Sequence, residues 1–407
     1  MNQKTAAVEP VSDTPVQPSP ADKKFYAGIV GTAALAHLLN DLIQAILPAI
    51  YPMLKIKFSL SYTEIGMIAL IYQMTASLLQ PCVGLFTDKH PKPYLLPFGM
   101  LVTLTGIALL ATADSFLFLL VAAAVVGIGS ATFHPEASRV ARTASGGRFG
   151  TAQSTFQVGG NTGSAIGPLL AAAIIIPHGQ LAVAWLMIIA LLAIAVLFHL
   201  SRWMQTHGQA QLSHLAQDQR QGLNRSKVIQ AIVIVCVLML TKFVYIALFT
   251  NYFTFYLMAQ FDLAIQESQM FLFMFLAFVA IGTFAGGPVG DRIGRKAVIW
   301  VSFLGVIPFA LALPHANLLW TAIFACFIGL IMSSAFAAMV VYAQEAVPGR
   351  VGLISGLMFG LMFGISGVGA AGLGVLADRF GIVWVFGITS FLPLLGLATA
   401  LLPNTQK

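Results

Sequence analysis

Charge is what this sequence has least of. Asp, Glu, Lys and Arg make up 9% of its 407 residues, whereas soluble domains carry about 25%, so the chain cannot cover itself with a surface suited to water. Cysteine is scarce as well. Cys82, Cys236 and Cys326 sit inside apolar runs; three cannot close a disulfide set, none has metal-ligand spacing, and they read as small helix-packing residues. Long polar segments are confined to residues 1–24 and 202–227. No nucleophile paired with a base and no extramembrane catalytic domain is visible, which argues against an enzyme. The net charge of +7 is spread through short loops without interleaved aromatics, which excludes a nucleic-acid patch. Residues 1–24, with Pro10, Pro15, Pro18 and Pro20 among mixed charges, read as a disordered tail; a basic region, short apolar core and cleavage site of a signal peptide are missing.

What is abundant is apolar: 58% of residues, with a mean hydropathy of +0.88. Twelve apolar segments recur between residues 26 and 402, each close to or above the ~18 residues that let a helix cross a bilayer. The polar stretch 202–227 divides them six and six. The expected fold is an all-α membrane protein, twelve transmembrane helices in two pseudo-symmetric bundles at 25–201 and 228–407, joined by the 202–227 linker. With both termini and that linker in the cytoplasm, 17 of the 21 basic residues fall on the cytoplasmic side, the bias that sets membrane orientation. An internal repeat supports the division. Gly84-Leu85-Phe86-Thr87-Asp88-Lys89 follows the second segment and Gly287-Pro288-Val289-Gly290-Asp291-Arg292-Ile293-Gly294-Arg295-Lys296 follows the eighth; Gly147-Arg148-Phe149-Gly150 and Gly349-Arg350-Val351-Gly352 repeat with nearly the same offset. Two parallel six-helix halves are a known plan for secondary carriers.

The 287–296 loop, its weaker copy at 84–89 and the six-plus-six layout resemble the major facilitator superfamily over the whole chain after the tail. Four runs narrow the likeness: His37-Leu38-Leu39-Asn40-Asp41, Phe133-His134-Pro135-Glu136, Phe156-Gln157-Val158-Gly159-Gly160-Asn161 and Tyr342-Ala343-Gln344-Glu345 are similar to the fosmidomycin-resistance family of bacterial efflux pumps. The resemblance implies a monomeric inner-membrane antiporter, without cofactor, that draws on the proton gradient to expel small anionic phosphonates. Import by proton symport is the alternative within transport, and a transport-like sensor the remote one. In the loop motifs, Asp88 and Asp291 can accept from helix N-termini and pair with Arg292 and Arg295, latching the cytoplasmic side; a generic charged loop is the plainer reading. Pro91 and Pro93 stand where the family pattern has glycine and a basic residue, which weakens the first copy.

Ionisable groups at bilayer depth are costly and default to function. His37 and Asp41 are four residues apart and share a helix face with Gln44. The repeat offset carries Asp41 to about residue 243, beside Lys242, so an acid and a base are expected to face one another across a central cavity. They are either a structural ion pair or a proton-coupling site, with Asp41 and His37 carrying protons and Lys242 meeting an anion; a pair that breaks on protonation would be both. Glu136, in the run His134-Pro135-Glu136, is a further candidate for proton relay, although Glu136 and Glu345 also suit gate pairs with Arg139 and its neighbours. Gln44, Gln157 and Asn161, the last two on a polar stripe with Gln153 and Ser164, and Tyr245 are candidate substrate contacts or interhelical hydrogen bonds. Gly163, Gly167 and Pro168 resemble the glycine-proline motif of proton-coupled drug antiporters and fall in the expected fifth helix. One departure is plain: many proton antiporters carry a buried arginine in the fourth helix, and here none precedes Arg139.

Overall fold

The computed structural model describes residues 24–90, 92–146, 148–215, 225–346 and 351–402. Among these, twelve helical spans are long and apolar enough to cross a membrane: α1 (Ala27–Phe58), α2 (Tyr62–Thr87), α3 (Leu95–Thr112), α4 (Phe116–Thr143), α5 (Thr151–His178), α6 (Gln180–His207), α7 (Ile229–Phe261), α8 (Ile265–Gly286), α9 (Lys296–His315), α10 (Leu318–Val340), α11 (Gly356–Phe380) and α12 (Ile382–Leu401). A helix satisfies its backbone hydrogen bonds within the segment, which is why lipid selects it. Large apolar side chains accordingly point outward: Leu117, Leu181 and Leu319 are each about two-thirds exposed, as suits a surface solvated by acyl chains.

The two halves meet chiefly through α2 on α11 and α5 on α8. At the end remote from the termini, a capping box of Ser61 and Glu64 satisfies part of the first turn of α2. The rest comes from the other half: the Asp378 carboxylate of α11 accepts the backbone N–H groups of Tyr62 and Thr63 at 2.8 and 2.7 Å. At the same end the Gln269 amide of α8 donates to the Ala49 carbonyl of α1 at 2.7 Å.

Glycine sets how α1 and α5 meet. A Cβ built on Gly159 would lie 2.1 Å from the Ala34 carbonyl oxygen, one on Gly163 2.1 Å from that of Leu38, and one on Gly167 2.6 Å from the Ala45 Cβ. Only hydrogen fits at this separation, the usual basis of close helix approach in lipid. Pro168 follows, leaving the Ser164 carbonyl without its intrahelical donor, and α5 then makes a π-helical turn at Ala171–Ile175. Gly163→Ala should therefore lower thermal stability by about 1–3 kcal/mol, the range for overpacking a tight contact. Gly28→Ala, with open space around the added methyl, should leave the melting curve of purified protein in place.

Candidate functional site

Three helices of the N-terminal half converge on one acid. On α1, His37 and Asp41 stack one turn apart, with His37 Nε2 3.2 Å from Asp41 Oδ2. From α4, His134 Nε2 stands 3.7 Å from Asp41 Oδ1, and the Asn40 amide donates to that same oxygen at 2.9 Å. From α5, the Phe156 carbonyl lies 2.8 Å from His37 Nδ1, and the Phe156 ring stacks on the imidazole with centroids 4.0 Å apart. Gly160 gives the imidazole its room, since a Cβ there would sit 2.4 Å from His37 Nε2.

The contacts select a tautomer for His37. A carbonyl oxygen only accepts, so His37 Nδ1 must carry the hydrogen in its contact with Phe156. In a neutral imidazole this leaves Nε2 with a lone pair, aimed at a carboxylate oxygen 3.2 Å away. Nε2 can donate to that oxygen only when it too carries a hydrogen, and His134 Nε2 faces the other carboxylate oxygen. The histidine side chains are 3% and 2% exposed, whereas that of Asp41 is 18% exposed. The carboxylate is the member that water or a ligand can reach.

His37, Asp41 and His134 also offer ligand atoms within 4.8 Å of one another. His134 additionally touches the other half. Its ring lies 5.8 Å from that of Phe359 and 5.1 Å from that of Phe363, both on α11.

The remaining sequence candidates divide. Glu136 is buried but does not join the cluster: its Oε1 lies 3.4 Å from Arg139 Nη1 one turn on, and that guanidinium also donates to the Thr87 carbonyl at 2.6 Å. This pairing ties α4 to the end of α2, as a gate contact would. Gln44 is engaged on both sides of its amide, donating to Ser130 Oγ at 2.8 Å and accepting from the Tyr72 hydroxyl. Gln157 is buried with its carbonyl oxygen unpartnered, while Asn161 is half-buried on the same stripe. Gly163 and Gly167 lie in the α1–α5 contact, and Pro168 follows them within α5. The side chains of Asp88, Asp291, Arg292, Arg295 and Glu345 lie outside the described residues.

Lys242 behaves differently from its expected partner. It is 1% exposed and its amine has no hydrogen-bond partner; no ion pair to Asp41 forms, and the acid's contacts are instead the two histidines and Asn40. The centroid of the Phe243 ring lies 6.0 Å from Nζ. Tyr245, one turn further, packs edge-on to Phe249 with centroids 5.4 Å apart, among the aromatic rings of the C-terminal half. His134 is the residue that the sequence reading leaves outside the cluster, naming it only in a relay with Glu136. Its one signal is its place beside that acid, which draws attention by its charge.

Twelve spans in two halves, a polar cluster in one and a buried amine in the other, define a secondary transporter. The sequence model of the Major Facilitator Superfamily matches residues 33–369 and 234–407. The chain is 52% identical over 398 residues to the fosmidomycin resistance protein of Escherichia coli strain K12, with 98% of each chain covered. It is 41% identical over 376 residues, 92% of each chain, to an uncharacterized MFS-type transporter, YfnC, of Bacillus subtilis strain 168. Among solved structures, a bacterial homologue of the lysosomal transporter Spinster, in an inward-facing and unoccupied conformation, superposes with a TM-score of 0.73 at 13% identity, covering 95% of this chain and 98% of that one. A point mutant of the nucleoside transporter NupG gives 0.69 at 11% identity, covering 92% and 99%. The protein belongs to the Major Facilitator Superfamily and, within it, to the fosmidomycin-resistance family. It is an integral membrane transporter of small molecules, not an enzyme.

Proposed function

We propose that this transporter expels fosmidomycin and related small phosphonate anions in exchange for protons. It works as a monomer in the bacterial inner membrane, with both termini and the 202–227 linker in the cytoplasm. The observation that carries this reading is Lys242, an amine buried at mid-membrane with no partner of its own. Burying an ammonium without compensation is unfavourable, and an anion that enters the site supplies the missing charge. A lysine acts as a point charge rather than a planar fork, so the site tolerates phosphonates of several shapes. The unpartnered Gln157 oxygen and the half-buried Asn161 are placed to take polar groups of the same ligand.

Protons enter the cycle at Asp41. Exchange requires that proton and anion occupy the carrier on alternate strokes: the Asp41 site in the N-terminal half is loaded while Lys242 is empty, and Lys242 takes the anion once that proton has left. No other cofactor is needed, because the proton gradient supplies the energy.

Flux into everted membrane vesicles tests the direction. An inward-acid gradient should drive accumulation of labelled fosmidomycin above the rate of vesicles lacking the protein, and a proton uncoupler should return it to that rate. Accumulation only in right-side-out vesicles would replace efflux with import by symport.

A further inference from the structure

Between the two halves, α2 presents a row of amides to a row of glycines. Gln73, Ser77 and Gln80 are spaced four and three apart, on one face of the helix. Opposite them α11 carries Gly367, Gly364, Gly360 and Gly356. A Cβ on Gly367 would lie 2.7 Å from the Gln73 Cβ, one on Gly364 3.3 Å from Ser77 Oγ, one on Gly360 3.2 Å from the Ser77 carbonyl oxygen, and one on Gly356 3.6 Å from that of Gln80. The seam is close-packed, and glycine brings no side chain with which an amide could bond.

The polar groups facing that seam are accordingly left without partners. Gln80 is fully buried, and neither its Oε1 nor its Nε2 has a hydrogen bond; Gln73 Oε1 is buried and unpartnered too. Ser77 Oγ reaches only the Met74 carbonyl of its own helix, at 3.3 Å. Isolated polar groups of this kind destabilise the arrangement that buries them, and an apolar residue of the same size would pack the closed seam better. Their use lies in an arrangement in which α2 and α11 have parted.

We propose that Gln73, Ser77 and Gln80 are the hydrogen-bonding wall of the substrate route between the halves, and take the neutral polar groups of the substrate when the seam opens. An amide offers two donors and a carbonyl acceptor. The wall therefore suits a hydroxamate, amide or hydroxyl, which both gives and receives, while charge is met elsewhere at Lys242. The seam adjoins the proton site: Phe359 and Phe363, whose rings touch His134, neighbour Gly360 and Gly364 on α11. Movement of α11 away from α2 thus uncovers the amides and disturbs the histidine together. The choice of fosmidomycin as probe and the role given to Lys242 rest on the function proposed above; the wall itself does not.

The test uses the full-length protein. Gln80→Met and the double variant with Gln73→Met should raise the midpoint of thermal unfolding by roughly 2–4 °C, as removal of an unsatisfied buried group does, while fosmidomycin transport falls about tenfold. With Cys82, Cys236 and Cys326 replaced by serine, Gln80→Cys should react with a small water-soluble thiol reagent, and saturating fosmidomycin should slow the reaction. A lower unfolding midpoint with unchanged transport would mean that the amides only hold the seam together and would overturn the proposal. So would an inert Gln80→Cys, or labelling that fosmidomycin does not slow while the wild type transports it. Failure of the wild type to carry fosmidomycin would instead defeat the substrate assignment, leaving the unfolding and reactivity results to judge the wall.

Discussion

Lys242→Ala should return a pump-deficient bacterium expressing this protein to the fosmidomycin sensitivity of cells without it. A hydrogen bond to a charged group contributes about 1.5–3 kcal/mol, or roughly 10- to 150-fold in affinity. Nothing else described in the C-terminal half offers a positive charge at mid-membrane. The sign of the stability change separates this role from a structural one. Lys242→Met removes a buried, unpartnered amine while keeping its volume, so purified protein should unfold at the same temperature or higher, much as buried ionic groups can be replaced by apolar ones without loss. A lysine that held the fold together would make that variant less stable. Resistance surviving in a membrane-inserted Lys242→Ala protein would place the anion elsewhere.

Asp41→Asn should uncouple transport from the pH gradient. The substitution keeps the size of the side chain but removes the carboxylate that faces His37 Nε2 at 3.2 Å. In proteoliposomes, fosmidomycin uptake driven by a pH difference should fall to the rate without one, while exchange of labelled for unlabelled substrate continues. Glu136→Gln is the informative contrast. Because Glu136 pairs with Arg139 and not with the cluster, its loss should lower the overall rate and leave the dependence on the gradient. Equal uncoupling by both variants would return Glu136 to the proton path.

The architecture could be read from the sequence because lipid imposes a single requirement on every span: enough apolar residues in a row. The link between His37 and Asp41 was equally legible, since an i, i+4 pair lies on one helix face wherever the helix goes. His134 was not, because its approach to Asp41 depends on how α4 leans on α1, and no local pattern encodes that. The supposed meeting of Asp41 and Lys242 rested on the repeat offset. Such an offset places a position to within a residue, and one residue turns a helix by about 100°. It located the depth of Lys242 but not the direction of its side chain. Gln44 reads as a cavity residue by its stripe, yet Tyr72 and Ser130 occupy its amide. The glycines of α5 were visible, but their partner became evident only when α1 was found against them. The π-helical turn after Pro168 left no mark beyond the proline itself.

The cluster around Asp41 is assembled from α1, α4 and α5, and the lone amine stands on α7. In the cycle proposed above, the surroundings of Lys242 can change to suit the charge of a new cargo without touching His37, Asp41 or His134, while changes that suit its neutral groups fall on α2 and α5 of the first half. Charge and shape of the cargo are then met on different helices, so that the old duplication serves as a source of evolvability.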